Sequence, residues 1–221
     1  MPSLEQASAW YSAADAVHGF DHIWRVYHLA QRIARVEGAD LRIVSAAALL
    51  HDVNAEQAVA DEKQQKKNLE DSRVEHHKTA TIFALEVLQE EAWHAGDIQA
   101  VQHCIRSHRF RDISEQPRTL EAQVLFDADK LDAIGAIGVA RAIAYAAKAG
   151  APAFCQPSPT FMATGKLEAG EQHSAYHEYL FKLKKIRSRL YTITGKNLAE
   201  ARHRGMVDFF EELKAESLGE A

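Results

Sequence analysis

The chain has 221 residues, 47% of them hydrophobic and 26% charged, and a formal net charge of −5 from 26 basic and 31 acidic side chains. This composition is ordinary for a globular protein, and the length allows one or two domains with a buried core. The acidic balance argues against broad nucleic-acid binding, which needs a basic face, and no apolar run approaches the length that crosses a membrane.

The chain contains two cysteines, Cys104 and Cys155, which form neither a CxxC pair nor a disulfide framework. This usage fits a reducing compartment. The first residues, MPSLEQ, lack the basic and apolar regions of a secretory signal. We therefore expect a cytoplasmic protein. The unusual feature of the composition is the histidine count, which is 12.

Hydrophobic side chains recur at helical spacing through most of the chain, and no segment is clearly patterned as a β-strand. Ser3 and Gln6 form a capping box for the first predicted helix. Asp21 and Asp40 cap the next two. The predicted helices cover about residues 3–17, 21–37, 40–52, 74–88, 97–108, 120–150, 176–194 and 197–213. We therefore predict an all-α protein with one compact domain.

Three long segments need separate interpretation. Residues 55–72 are polar with weak periodicity and are predicted to be an exposed loop or mobile lid. Residues 150–172 hold three of the five prolines, and loops of this length are often functional. Residues 120–150 are predicted to form one almost wholly buried helix. Gly135 and Gly138 cost about 1 kcal/mol each within a helix, so we expect a neighbouring helix or a ligand to approach closely there.

An imidazole and a carboxylate stand side by side at His51-Asp52, directly after the apolar run SAAALL. A neutral imidazole beside a carboxylate suits a divalent cation such as Mn²⁺, Fe²⁺ or Zn²⁺. The pair alone is equally consistent with a helix that ends in a polar cap. Other polar residues on, or at the ends of, the apolar helices strengthen the metal-site interpretation, and they are His18, His22, His76, His77, His108, Asp127 and Asp129.

Asp127 and Asp129 lie at the head of the buried stretch VLFDADKLD. Carboxylates in such surroundings pair with a cation, accept hydrogen bonds or bind a metal, because an unpaired buried charge is costly. Lys130 offers an alternative explanation, in which Asp129 or Asp132 is neutralised by an ordinary ion pair. The residues alone leave both explanations open.

The order of His22, His51-Asp52 and Asp129 resembles the H…HD…D signature of the HD-domain superfamily of metal-dependent phosphohydrolases. The stretch FDADKLDAIGAIGVAR is similar to the last-ligand helix of one branch, the small bacterial HD hydrolases. The similarity extends over about residues 18–210. It implies a single HD-type helical domain over residues 1–221, with a motif core at about 18–145 and C-terminal helices at about 171–215 packed on it.

The resemblance also implies a divalent metal as cofactor, with one or two ions of Mn, Mg, Fe, Ni or Co. The implied metal ligands are His22, His51, Asp52 and Asp129. Family members often carry two further histidines that bind a second metal or the substrate phosphate. Their counterparts here are His76, with His77 as its rival, and His108.

The implied function is hydrolysis of a phosphate ester or a pyrophosphate bond in a small phosphorylated molecule, and the nucleotide part of that expectation rests on the resemblance. Asp52, Lys130 and Arg25 are the candidate catalytic residues. Arg109 and Lys166 are candidates for binding the substrate. Aromatic side chains that could stack on a base are Trp24, Phe110, Phe154 and Phe161.

One departure from the family pattern affects the general acid. Close relatives often carry an acid in the form HDxxD, where this chain has Ala55. Glu56 or Asp61 could take that role, but neither spacing is diagnostic. Two alternatives therefore stay open beside the hydrolase: a di-iron oxygenase of the HD fold, and a nucleotide-binding module without turnover. We expect neither a membrane nor a nucleic acid as partner, and leave open whether the protein is a homodimer.

Overall fold

A computed structural model describes residues 1–11, 19–53, 69–109 and 115–221, with the side chains of residues 69–78 excepted. These ranges are helical and contain no β-strand, which confirms the all-α prediction. No helix within them is long and apolar enough to cross a membrane. The helices are α1 (Leu4–Ser8), α2 (Phe20–Glu37), α3 (Leu41–Leu50), α4 (Leu69–Glu90), α5 (Ala95–Ser107), α6 (Leu120–Asp132), α7 (Gly135–Lys148), α8 (Pro159–Thr164), α9 (Ala175–Phe181) and α10 (Ile193–Leu218), with 3₁₀ turns at Leu183–Lys185 and Arg187–Arg189.

The chain forms two compact units. Unit 1 comprises residues 1–129 together with 191–195, and unit 2 comprises residues 130–190 and 196–221. The inclusion of residues 191–195 in unit 1 is notable, because they lie about sixty residues after the rest of that unit. The prediction of one domain over the whole chain stays a prediction.

In unit 1, the central helix is α3, which packs against α2 and α5. Asp40 caps α3 as predicted, because its carboxylate accepts hydrogen bonds from the backbone N–H groups of Arg42 and Ile43. The residues from Val44 to Leu50 are all buried. Alanines at three of these positions present little bulk, so neighbouring helices can pack on every side of α3. This packing fixes the point at which α3 ends, directly before His51.

Several predicted boundaries differ from those observed. The first helix ends at Ser8, and the fourth begins at Leu69 rather than near residue 74. The polar segment considered as a lid falls mostly on residues 54–68, which lie outside the described part of the chain together with Ala55, Glu56 and Asp61. The helix predicted over 176–194 ends at Phe181 and gives way to two 3₁₀ turns.

The prediction of one buried helix over 120–150 is wrong. The chain breaks between α6 and α7, and Gly135 takes a φ of 77°, which glycine adopts without strain. A Cβ on Gly135 would lie 3.0 Å from the Cβ of Arg202 on α10, so a neighbouring helix does approach closely there. A Cβ on Gly138 would collide with the backbone carbonyl of Ala133. The two glycines therefore permit a sharp break rather than a continuous helix, and Tyr145 on α7 is exposed.

Gly138 and Gly205 form a matched pair for testing this break, because both lie inside helices and only the first lacks room for a methyl group. We expect Gly138→Ala to destabilise the protein by about 1–3 kcal/mol through overpacking. Gly205→Ala should stabilise it by about 0.5–1 kcal/mol, since alanine favours a helix and nothing obstructs the methyl group. Thermal unfolding of both variants measures the difference, and shifts of the same sign would contradict this account.

In unit 2, a single carboxylate organises the loop before α9. Glu171 accepts hydrogen bonds from the backbone N–H and the hydroxyl of Ser158, both at 2.7 Å, and from the backbone N–H of Glu168 at 2.7 Å. The Nε2 atom of His177 lies 3.1 Å from the same carboxylate. Burial raises the pKa of Glu171, but these hydrogen bonds outweigh it and lower the pKa from 4.5 to about 2. The proline-rich loop is therefore held by a defined network.

This network predicts a pH dependence. Because the pKa of Glu171 is lowered on folding, its stabilisation is complete above pH 4.5 and is lost as the pH falls towards 2. We expect Glu171→Gln to lower the thermal unfolding midpoint at neutral pH, and the gap from the wild type to close between pH 4.5 and 2. Glu168→Gln is the control, because it removes the same charge from the same loop. A constant gap across this pH range would contradict the assignment.

Candidate metal centre

Four chain segments of unit 1 bring histidines and aspartates to one place. His22 lies in the first turn of α2, and His51 and Asp52 directly follow α3. His108 directly follows α5, and Asp129 lies in the last turn of α6. Helix ends and first turns therefore supply all five side chains, although up to 107 residues of sequence separate them.

The distances define a compact cluster. The Nε2 atom of His22 lies 3.7 Å from Oδ2 of Asp52 and 3.6 Å from Oδ1 of Asp129. Asp52 also lies 3.6 Å from Nε2 of His51 and 3.5 Å from Nε2 of His108. Two groups each keep their potential ligand atoms within 4.8 Å of one another: His22, His51 and Asp52, and His51, His108 and Asp129. His51 belongs to both groups.

Two of the imidazoles are oriented by their own helices. The Nδ1 atom of His51 lies 2.9 Å from the carbonyl oxygen of Ala48, and that of His108 lies 2.5 Å from the carbonyl oxygen of Ile105. A carbonyl can only accept, so Nδ1 carries the proton and donates in both cases. The Nε2 atom keeps its lone pair and faces the cluster. A backbone partner of this kind fixes the tautomer of metal-binding histidines.

Burial sets the charge state of the cluster. His51 is 1% exposed, and its Nε2 atom is buried without a hydrogen-bond partner. Burial lowers the pKa of His51 to about 4, against the opposing charge of Asp52. Burial raises the pKa of Asp52, but its interactions with the neighbouring imidazoles, led by that of His51, hold this pKa well below its usual range. A neutral imidazole beside an ionised carboxylate is the protonation state that a divalent cation requires.

The residues therefore fit the metal expected from the sequence. An orphaned buried nitrogen is costly, and a cation at the centre would satisfy it. Imidazole nitrogens combined with carboxylate oxygens suit Mn, Fe, Co and Ni. His108, proposed from the sequence for a second metal or the phosphate, lies in the same cluster as the four principal candidates. His76 and His77 lie on α4, but their side chains are outside the part of the chain that is described.

Asp127 does not join the cluster. Its carboxylate accepts hydrogen bonds from the backbone N–H groups of Tyr191 and Thr192, at 2.9 and 2.7 Å. The metal interpretation of Asp127 is therefore wrong, and the hydrogen-bonding alternative is correct. Asp132 forms an ion pair with Arg141 at 2.6 Å.

The cationic candidates stay predictions. Arg25 lies on α2 and pairs with the carboxylate of Asp21 at 2.7 Å. Arg109 follows His108 directly and is partly buried, whereas Lys130 and Lys166 belong to unit 2. Lys166 is exposed.

The aromatic candidates have different surroundings. Trp24 is 49% exposed and contacts the ring of His28. Phe154 and Phe161 contact other aromatic rings of unit 2, namely those of Tyr176 and His177. Phe110 lies outside the described residues. Packing therefore explains Phe154 and Phe161 without a base.

Sequence reasoning missed Tyr11. Its hydroxyl donates a hydrogen bond to the carbonyl oxygen of Leu49 at 2.8 Å, immediately before the His51-Asp52 pair. Burial and the charge of Asp52 raise its pKa well above the usual value. Tyr11 packs with Ile23 and Leu49 in a small hydrophobic cluster, so it supports the end of α3. Its position in an apolar helical pattern gave no signal of this role.

An all-α fold with an H…HD…D cluster at its helix ends defines a class of helical proteins whose histidines and aspartates could hold a metal ion. Comparison with known families gives the same result, since residues 19–134, just over half of the chain, match the HD domain. The chain belongs to the HD-domain family, as the resemblance in its sequence implied. The matched range lies within the motif core expected at about residues 18–145.

The chain is also similar along almost its whole length to proteins from several bacteria. It is 30% identical to the uncharacterized protein YpgQ of Bacillus subtilis, over 99% of this chain and 96% of YpgQ. A crystal structure of YpgQ in complex with ADP matches with a TM-score of 0.67 and 28% identity over 97% of both chains. The structure of a Lactobacillus plantarum protein matches with a TM-score of 0.72 and 30% identity, over 98% of this chain and 95% of that one. The structure of an HD-superfamily hydrolase from Bacillus thuringiensis matches with a TM-score of 0.65 and 27% identity, over 96% of this chain and 95% of that one.

The geometry predicts metal binding that depends on His51. We expect Mn²⁺ to raise the thermal unfolding midpoint of the wild type, with a stabilisation of about 2.7 kcal/mol when free Mn²⁺ exceeds its Kd about 100-fold. His51→Ala removes the shared ligand and should abolish this rise. His28→Ala, which removes an exposed histidine from α2, is the control and should respond as the wild type does. An unchanged response in His51→Ala would contradict the ligand assignment.

Proposed function

We propose that this protein is a metal-dependent phosphohydrolase that cleaves a phosphoester or pyrophosphate bond in a nucleotide. The observation that carries this proposal is the convergence of three imidazoles and two carboxylates in unit 1. Solved relatives described as HD-superfamily hydrolases support the reaction class. The complex of YpgQ with ADP supports a nucleotide as the ligand.

In this proposal, His22, His51, Asp52, His108 and Asp129 hold a divalent ion. When bound, such an ion lowers the pKa of a water molecule and stabilises negative charge on a phosphoryl oxygen. The backbone-fixed tautomers of His51 and His108 keep the Nε2 lone pairs directed at the centre.

Asp52 has a second role in the proposal. Its side chain is 26% exposed, against 14% for Asp129 and 1% for His22, so solvent and substrate reach it most easily. Because its pKa is low, Asp52 remains ionised at neutral pH and is a weak general base. We therefore assign it to accepting a hydrogen bond from the attacking water and orienting that water.

Positive groups must balance the charge that develops on the phosphoryl oxygens. Arg25 is our candidate for this role within unit 1, and Arg109 for contacts with the rest of the substrate, whereas Lys130 and Lys166 of unit 2 stay expectations from the sequence. Arg25 would have to exchange its partner Asp21 for the phosphate. The general acid is left unassigned, because Ala55 occupies the position at which relatives often carry an acid.

A di-iron oxygenase is the second candidate. The observation that favours it is the presence of His108 in the cluster, which brings five ligands together and provides more donors than a single mononuclear H…HD…D set. With His76 added, the set would suffice for two irons. Two irons per chain and turnover that depends on oxygen would move the assignment to this alternative.

The test begins with the metal content of the full chain purified without chelator. A nucleotide panel is then assayed for release of phosphate and pyrophosphate with Mn²⁺, Mg²⁺, Co²⁺ or Ni²⁺. We expect metal-dependent release that falls at least about 100-fold in kcat/KM for Asp52→Ala, since that change removes a ligand and the water-orienting group. Asp208→Asn, an exposed carboxylate on α10, should leave kcat/KM unchanged.

Three results would contradict the proposal. Phosphate release that persists in Asp52→Ala would exclude the assigned centre. Turnover that requires oxygen and two irons would establish the oxygenase. Nucleotide binding without hydrolysis for every metal tried would indicate a binding module, in line with the missing acid at Ala55.

A further inference from the structure

The two aspartates of the DAD sequence on α6 have different surroundings. Asp127 is completely buried and lies outside the metal cluster. Its Oδ1 atom accepts the backbone N–H of Tyr191 at 2.9 Å. Its Oδ2 atom accepts the backbone N–H of Thr192 at 2.7 Å and the hydroxyl of Thr192 at 2.6 Å. These contacts bind α6 to residues 191–195, the late segment that belongs to unit 1.

The hydrogen bonds continue into α10. The Thr192 hydroxyl donates to Asp127 and accepts the backbone N–H of Gly195 at 2.9 Å, so Thr192 caps the first turn of this helix. A Cβ on Gly195 would collide with the Asp127 carboxylate. The positive end of the α10 dipole further favours a buried carboxylate at this point. Asp127, Thr192 and Gly195 therefore form one group of contacting residues, which we call the α10 clamp.

A second carboxylate holds the same segment from α2. Glu37 accepts the backbone N–H of Thr194 at 2.6 Å, and hydrogen bonding from Thr194 lowers the pKa of Glu37. Glu37 ends α2, the helix that carries His22 near its start. Residues 191–195 are therefore attached both to the helix that bears His22 and to the helix that bears Asp129.

Helical geometry connects the clamp to the metal centre. Asp127 and Asp129 are two residues apart, which places them about 200° apart around α6. One side of the helix is fixed to residues 191–195, while another presents Asp129 to His22 at 3.6 Å. Rotating α6 so that Asp129 left its position would break the three hydrogen bonds of Asp127. Leaving buried hydrogen-bonding groups without partners is costly, so these three bonds resist that rotation.

We propose that Asp127 is a positioning residue that fixes Asp129 for metal binding, with residues 191–195 as its anchor. The inference rests on the proposed function, because it presupposes that Asp129 binds a metal. Asp127 itself touches neither metal nor substrate in this assignment. It acts by fixing the rotation of α6 about its own axis, just as hydrogen-bond partners outside the coordination sphere orient the ligands of a metal.

The test compares Mn²⁺ affinity of the full chain by titration calorimetry, at a temperature where every variant is folded. Asp127→Asn preserves the size of the side chain, but its NH₂ group would face the backbone N–H group of Tyr191 or of Thr192, which is also a donor. We expect it to weaken Mn²⁺ binding about 10- to 100-fold. Gly138→Ala is the control, because it should be destabilised in unit 2 while its Mn²⁺ affinity stays that of the wild type.

Each outcome is decisive. Wild-type affinity in folded Asp127→Asn overturns the inference and leaves the proposed function intact. Equal losses in Asp127→Asn and Gly138→Ala also overturn it, because stability alone would then explain both. If Asp127→Asn does not fold, Thr192→Val is tested in its place. It should weaken Mn²⁺ binding about threefold or more, because one of the three hydrogen bonds to Asp127 is lost. Unchanged Mn²⁺ affinity in Thr192→Val overturns the inference. A wild type that binds none of Mn²⁺, Mg²⁺, Fe²⁺, Co²⁺ and Ni²⁺ overturns the proposed function together with it.

Discussion

The structure of unit 1 depends on the electrostatic balance between buried imidazoles and carboxylates. Asp52 and Asp129 bring two carboxyl groups to a mostly buried place, and His51 is too deeply buried to become positive near neutral pH. Removing carboxylates from water is costly unless a cation or hydrogen-bond donors compensate. A divalent cation would compensate the carboxyl groups and would also give the Nε2 atom of His51 the partner that it lacks. The packing of the surrounding helices is therefore suited to an occupied metal centre.

Helix ends provide a simple way of building such a centre. The last turn of a helix leaves carbonyl groups without partners inside the helix. His51 and His108 each follow a helix directly and donate Nδ1–H to a carbonyl three residues earlier. One hydrogen bond therefore satisfies the helix end, sets the tautomer and directs Nε2 away from the helix. Because α3 packs against α5, the two imidazoles meet, with ring centroids 5.1 Å apart.

The sequence predicted the parts of this protein that local chemistry determines. The helices, the capping of α3 by Asp40, and the HD pair followed from residue type and spacing, and the structure places all four principal ligand candidates together. The break at Gly135 was not predicted, because the hydrophobic pattern continues through it and only the fold shows that Arg202 lies beside that glycine. The role of Tyr11 also depends on a distant contact that no local pattern contains.

The DAD sequence shows why the ligands could not all be assigned from the chain alone. Asp127 and Asp129 have the same side chain and nearly the same sequence surroundings, and both were metal candidates. Helical rotation separates them: one carboxylate meets His22, and the other meets two backbone amides directly before α10. Those amides lie at residues 191–192, beyond the matched HD-domain range of 19–134. The helix that carries Asp129 is therefore held by a segment outside that range, and in our proposal the candidate metal centre depends on this segment as well as on the HD motif.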